Sequence, residues 1–247
     1  MNLSEILNLK RNSLVSIVGS GGKTTLMYLL ANELKSNNKV LVSTTTRIYA
    51  PNEEVVDYMA IGKDNYNNIK ELNSNGIYAY GTCINDENKL IGISKEDLNI
   101  CINDFPYIIV EADGSKKKSI KGWNETEPVI CDKTDITIGI MSFKSLGMII
   151  NDENVHRVTE FNKLTDSYLG EIIGIKHFIR VIFGENGLFK NSKGEKVLFL
   201  NRIEEGVDTD ILKDLLEEIK KNNNKYKLLD KIIFGSLKNE LYRYIEF

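Results

Sequence analysis

Residues 13 to 34 set three unlike stretches end to end. Ser13 to Val18 is a short, β-branched apolar run. Gly19-Ser20-Gly21-Gly22 is a turn. Lys23-Thr24-Thr25 then opens a segment with Leu26, Met27, Leu29, Leu30 and Leu34 at helical spacing. The first stretch predicts a buried strand and the last a helix with one apolar face. A glycine-rich loop between such elements can turn its backbone N–H groups inward. The helix start adds the positive end of its dipole, so the whole is suited to an anion. The order predicts a phosphate loop in which Gly19, Ser20, Gly21, Gly22, Lys23, Thr24 and Thr25 contact a nucleoside triphosphate. Lys23 would reach the β- and γ-phosphates, and the Thr24 hydroxyl would reach Mg²⁺. The plainer alternative is a chance lysine after a glycine-rich turn. The co-occurrence of strand, glycines, Lys-Thr-Thr and helix argues against it.

Further strands are expected at Val40 to Val42, Tyr107 to Val110, Asp135 to Met141, Lys196 to Leu200 and Lys231 to Phe234. Helices are expected at Glu53 to Tyr58, Ser94 to Ile102, Asp166 to Ile175 and Asp208 to Lys221, the last with a well-placed N-terminal aspartate. Ile77 to Gly81 and Lys89 to Ile93 flank the polar turn Asn85 to Asn88 and suggest a small antiparallel β insert. The Asn-rich patches 65–75 and 222–224 look like solvated loops. The alternation predicts an α/β fold: a mostly parallel sheet with helices on both faces, of the phosphate-loop NTPase kind. No linker divides the chain, so residues 1–247 are expected to form one nucleotide-binding domain.

A nucleotide with Mg²⁺ needs a carboxylate at the end of a neighbouring strand. Tyr107-Ile108-Ile109-Val110 ends in Glu111-Ala112-Asp113-Gly114, of the form acid-x-x-Gly. Glu111 is then the strand-end metal ligand, since an unpaired acid there would be costly. Asp113 is a second metal or water-positioning acid, and Gly114 a γ-phosphate sensor. A simple turn at Asp113-Gly114-Ser115 is the competing reading. Thr44 to Thr46 follows the second strand, where α/β sheets bind ligands. Thr45 could complete the metal shell and Arg47 could contact a phosphate or a second substrate; a plain β-forming threonine run explains the same residues. Asn201-Arg202-Ile203-Glu204 is a degenerate Asn-Lys-x-Asp motif, which makes Asn201 a candidate for base recognition by either ATP or GTP. Lys116-Lys117-Lys118 with Lys121 is either a solvated loop or a site for an anionic second substrate. Trp123 is expected to pack in the interior.

The net charge of −3 gives no electrostatic case for nucleic acid or an anionic membrane. No apolar stretch is long enough to span a bilayer, and the N-terminal residues lack the apolar core of a signal peptide. The 3 cysteines lie far apart and the chain has 2 histidines, which argues against disulfide or zinc frameworks and suits a cytoplasmic protein.

The loop Gly-x-x-Gly-Lys-Thr-Thr is two residues shorter than the full phosphate-loop pattern, whose first glycine would fall at Ile17. It resembles the short loop of the Mur ligases, which implies ATP binding at this length. Together with Thr44-Thr45-Thr46 and Pro51, Glu111 to Ser115 with the lysines after it, Glu127-Pro128 and His156-Arg157, the chain resembles the YqeC family. That family is associated with molybdenum hydroxylases that depend on labile selenium. The resemblance implies a nucleotide-binding protein that assists maturation of such an enzyme or its cofactor, and it adds His156 and Arg157 to Arg47 and Lys116 as substrate contacts. Trp123-Asn124 replaces a Pro-Ala-like stretch, and Arg202 and Glu204 depart from Asn-Lys-x-Asp. Three activities follow as expectations. The first is a Mg²⁺-dependent triphosphatase, in which Lys23, Glu111 and Asp113 are catalytic. The second is a kinase or ligase acting on a small anionic acceptor. The third is a non-hydrolysing binding partner. A homodimer would suit a switch of this class.

Overall fold

The computed structural model describes residues 1–247 as an α/β chain with a large, mostly parallel sheet flanked by helices, the class that the alternation predicts. The chain divides into two compact units. One comprises residues 1–17, 23–114 and 129–137, the other residues 18–22, 115–128 and 138–247.

The first unit contains, in chain order, α1 (Leu3–Ile6), β1 (Ser13–Gly19, whose last two residues belong to the second unit), α2 (Lys23–Leu34), β2 (Lys39–Thr44), β3 (Arg47–Tyr49), β4 (Tyr58–Ile61), α3 (Gly62–Lys70), β5 (Gly76–Gly81), β6 (Cys83–Ile84), β7 (Lys89–Ile91), α4 (Lys95–Cys101) and β8 (Tyr107–Glu111). Its parallel strands run in the order β1-β8-β2-β5-β4. β2, β5 and β8 are buried along nearly their whole length, which is why they read as continuous apolar runs and not as alternating ones. Leu14, Leu41, Tyr78, Phe105, Ile108 and Val110 form part of one core. Ser94 caps α4 by accepting the Asp97 N–H.

Three segments of this unit differ from expectation. The antiparallel insert is smaller than Ile77 to Ile93: β5 is a parallel strand between β2 and β4, and only β6 and β7 join β3 in a separate three-stranded antiparallel sheet. Glu53 to Tyr58 is not a helix. The Val55 and Val56 N–H groups both fold back on the Asn52 carbonyl, and Asp57 Oδ2 accepts the Ile77 N–H, which lays Tyr58–Ile61 beside β5 as an edge strand. The Asn-rich patch is helical up to Lys70, because Tyr66 and Ile69 supply one buried face under polar neighbours.

The second unit contains β9 (Ile120–Lys121), β10 (Ile136–Ser142, whose first two residues belong to the first unit), β11 (Val155–His156), α5 (Val158–Thr165), α6 (Ile175–Phe183), β12 (Glu195–Asn201), α7 (Thr209–Tyr226), β13 (Lys231–Ser236) and β14 (Leu241–Glu246). Its strands run in the order β14-β13-β12-β10, with β12 and β13 parallel and β14 antiparallel at the edge; β9 and β11 form a short parallel pair of their own. The helix expected over Asp166 to Ile175 lies between α5 and α6 instead. Asp166 ends α5 in a left-handed conformation, and the chain then extends to bridge Ile172 to Ile149. Asp208 caps α7, its side chain accepting the Asp210 and Ile211 N–H groups. No helix is long and apolar enough to cross a membrane.

Asn223, within the second patch read as a loop, is a buried residue of α7. Its Nδ2 donates to the Leu229 carbonyl and its Oδ1 accepts the Leu228 and Leu229 N–H groups. It therefore holds the turn from α7 into β13. Replacing Asn223 with Ala leaves these backbone groups without partners, and urea unfolding should register a loss of about 2–3 kcal/mol.

Candidate functional site

In the first unit, parallel pairing sets the ends of three strands level: Ile17 of β1 and Thr44 of β2 both lie opposite Glu111 of β8. The Glu111 carbonyl accepts from Thr44 Oγ1 at 2.8 Å and from the Thr45 N–H at 3.1 Å. Over this edge, the first residue of α2 projects Lys23. Its ammonium lies 3.3 Å from Glu111 Oε1 and 3.3 Å from Asp113 Oδ1. Thr24 Oγ1 donates to the other Glu111 oxygen at 2.7 Å. Lys23, Glu111 and Asp113 are all buried, Asp113 completely. Burial by itself would lower the Lys23 pKa, but the two carboxylates outweigh it and the net shift is upward. The ammonium is thus held charged. A buried charge cluster contributes little net stability after desolvation, so stability alone does not account for three such groups at a strand-end edge.

The donor set suits Mg²⁺. No group of three or more His, Cys, Asp or Glu side chains gathers anywhere to form a self-sufficient metal cage. Glu111, Asp113 and the Thr24 hydroxyl offer oxygen ligands only, and Mg²⁺ commonly takes one or two carboxylates and completes its shell with phosphate and water. The Thr45 hydroxyl donates to the Val129 carbonyl at 2.9 Å, and the Thr44 and Thr46 hydroxyls are 3.2 Å apart. Thr25 is exposed, Gly114 is half-buried, and Arg47 stands exposed on β3 opposite Ile91. Sequence reasoning missed Tyr28, one turn along α2 from Thr24. Its buried hydroxyl has no hydrogen-bond partner, and burial together with the Glu111 charge pushes its pKa upward.

The loop itself packs in the second unit. Gly19, Gly21 and Gly22 have φ of 101°, 93° and 140°. A Cβ on Gly21 would come within 2.6 Å of Ser142 Cβ, and one on Gly22 within 2.6 Å of Asn201 Nδ2, so no other residue fits these two positions. The Ser20 N–H donates to the Ile140 carbonyl and its hydroxyl to the Ser119 carbonyl. Asn201 Nδ2 donates to the Gly21 carbonyl at 2.7 Å while its Oδ1 accepts the Leu237 N–H at 3.0 Å. Asn201 therefore braces the loop against the ends of β12 and β13. Ser142 is a further residue missed from the sequence: its hydroxyl is fully buried beside Gly21 and has no partner. The available signal was its place at the end of an apolar strand, the same place that Glu111 holds on β8.

The basic residues separate by environment. Lys116 and Lys117 are exposed in left-handed conformations, whereas Lys121 is fully buried, its ammonium 5.3 Å from the Trp123 ring centre. Trp123 packs in the interior as expected. Lys121 donates to Glu127 Oε2 at 2.9 Å, and Arg157, itself left-handed, donates to both Glu127 oxygens. β9 and β11 place Lys121 opposite His156. Burial alone would raise the Glu127 pKa, but Arg157 and Lys121 hold it down to about 2. Burial, then Lys121 and Arg157, push His156 down to about 4.

These features belong to a chain of the YqeC family. The family model described as YqeC protein matches residues 15–159, which include the loop, both acids and the Lys121–Arg157 cluster. The chain is 26% identical over 219 residues to a protein of Escherichia coli (strain K12) named "Uncharacterized protein YqeC", covering 87% of this chain and 85% of that one. No solved structure gives a significant match.

The shifts at Glu127 and His156 make an acid-labile unit. Stability from Glu127 is complete above its ordinary pKa of 4.5 and is lost as pH falls through about 2. That from His156 is complete above 6.5 and is lost as pH falls through about 4. In urea titrations against pH, Glu127→Gln should be less stable than the native chain above pH 4.5, with the gap closing toward pH 2.

Proposed function

We propose that this YqeC-family protein binds a nucleoside triphosphate with Mg²⁺ through Gly19–Thr25 and hydrolyses it, serving maturation of a selenium-dependent molybdenum hydroxylase or its cofactor in the cytoplasm. The observation that carries the reading is the arrangement of Lys23, Thr24, Glu111 and Asp113: a charged lysine and a hydroxyl in the first helical turn, set directly on two buried strand-end acids.

In this reading the two carboxylates hold Lys23 until a triphosphate takes their place. Lys23 then turns to the β- and γ-oxygens and stabilises charge on the transferring group. Thr24 and Glu111 would hold Mg²⁺, and Thr45, whose N–H donates to the Glu111 carbonyl, is the further candidate ligand. When bound, the ion neutralises charge on the phosphate oxygens. Asp113, freed from Lys23, orients the attacking water, and the Gly114 N–H senses the γ-phosphate. The unpartnered Tyr28 hydroxyl, on which the Glu111 charge acts, would be available to donate to that acid. Ser142 meets the nucleotide beside Gly21. Asn201 keeps the loop in shape and has one amide hydrogen left for a base. A second reading, phosphoryl transfer or ligation onto an anionic acceptor, is favoured by the basic residues around the buried Lys121.

Calorimetric titration with ATP and GTP, each with and without Mg²⁺, tests the reading and decides the base. One of the two should bind with micromolar affinity, and more tightly with Mg²⁺. Lys23→Met should abolish phosphate release, a loss of about 100-fold or more. Binding of neither nucleotide would remove the proposal. Binding without turnover would leave a nucleotide-responsive partner protein and no triphosphatase.

A further inference from the structure

We infer that the edge strand β14 is a docking surface for a second copy of this chain, the two β14 strands pairing antiparallel about a two-fold axis at Tyr244.

β14 ends the strand order of the second unit and pairs with β13 alone. Along such a strand the backbone groups of successive residues point alternately to the neighbour and to the open side. The Phe247 N–H donates to the Asp230 carbonyl, and the Leu241 carbonyl lies so close to Gly235 that an added Cβ would meet it at 2.0 Å. Leu241 and Phe247 therefore turn their backbone toward β13, and the register between the strands is unbroken. The N–H and C=O groups of Tyr244 then face the open side, where no strand covers them. Natural sheet edges are blunted by proline, a bulge, shortness or charge. β14 has 6 residues, matched one for one with β13, and no proline. Of its charged residues, Arg243 and Glu246, the second is held by Lys231 at 3.2 Å. The surface is apolar instead: Leu241 is 69% exposed, Phe247 50% and Tyr244 42%.

The occupant follows from symmetry. Two copies of one strand pair antiparallel only about an axis normal to the sheet, so the residue on the axis meets itself. An axis at Arg243 or Glu246 would set like charges directly opposite, which is destabilising. An axis at Tyr242 leaves Phe247 beyond the pairing, and an axis at Ile245 leaves Leu241 beyond it. An axis at Tyr244 keeps both: Leu241 falls opposite the second copy's Phe247 at each end, and Tyr244 exchanges its N–H and C=O bonds with the second copy's Tyr244. The strand is thus its own complement, in hydrogen bonding and in apolar surface. A pairing of this length buries less than the roughly 800 Å² per partner of a standard stable interface, so the dimer is reversible and of micromolar affinity. It does not rest on the nucleotide reading.

Sedimentation velocity of the full chain, from about 1 to about 300 µM, should show monomer giving way to dimer as concentration rises. Tyr244→Pro removes the N–H on the axis at an edge position, where proline is tolerated. Leu241→Lys changes only an exposed side chain and puts charge at the end of the pairing. Each should raise the dissociation constant about tenfold or more. Ile172→Lys, at an exposed apolar residue on another segment of the same unit, should change nothing. The register is read by cross-linking with the mild oxidant diamide, in a chain whose exposed thiol is removed by Cys83→Ser. Tyr244→Cys should form a disulfide across the axis, because opposed residues there have Cα atoms about 5.5 Å apart. Leu241→Cys should not, since the two copies of that position lie about 20 Å apart along the strands. Four results overturn the inference: a monomer at every concentration, a mass growing beyond two copies, a dimer unchanged by both Tyr244→Pro and Leu241→Lys, or a dimer lost with Ile172→Lys. Equal cross-linking of the Tyr244→Cys and Leu241→Cys chains overturns the register and the inference with it.

Discussion

The attraction between Lys23 and two buried carboxylates organises the first unit. A lysine at the start of a helix has no reason to turn inward unless counter-charge waits there. Glu111 and Asp113 supply it only because β1 and β8 are parallel neighbours whose ends are level. Thr24 and the Thr44–Thr45 corner then complete the hydrogen bonding of Glu111 through its side chain and its carbonyl. Such an arrangement contributes little stability for the desolvation it requires. Under the proposed function it is a charged set held ready, in which an incoming triphosphate would exchange one set of anionic oxygens for another.

The second unit applies a different constraint, close packing of backbone. Gly21 and Gly22 lie where Ser142 and Asn201 leave no room for a Cβ, and Asn201 ties the loop carbonyl to the turn after β13. The loop shape is therefore imposed by strand ends more than 100 residues away in the chain and not by its glycines alone; the Gly21–Asn201 bond spans 180 residues. The same unit gathers Lys121, Arg157 and Glu127 through the short β9–β11 pair, which sets a fully buried ammonium and a half-buried ion pair together out of residues that look solvated in one dimension.

Elements whose periodicity matched their burial were legible. β1, β2, β8 and β12 are apolar runs because both sheet faces are covered, and α7 begins at Asp208 because that side chain satisfies two orphan N–H groups. The misreadings share a cause. In α3 a polar surface masks the two buried residues that hold the helix. At Glu53 to Tyr58 the helical look of the segment loses to hydrogen bonds with β5, which are invisible locally. The helix placed at Asp166 to Ile175 fell on a connection because its chain pairs with Ile149, far back in sequence. Composition also could not reveal that Lys121 is buried while Lys116 and Lys117 are not.

By itself the sequence determined the strand–loop–helix at Ser13 to Leu34, the parallel α/β class, and the acids at 111 and 113, because each is written in local spacing of apolar, glycine and charged residues. Tertiary structure alone decided that Lys23 sits between those acids, that Asn201 braces the loop, that the Ser142 and Tyr28 hydroxyls are left without partners, and that Glu127 collects Lys121 and Arg157. The physical reason is that charge pairing and hydrogen-bond satisfaction act between groups close in space. Strand register brings those groups together across stretches of chain over which no local pattern extends.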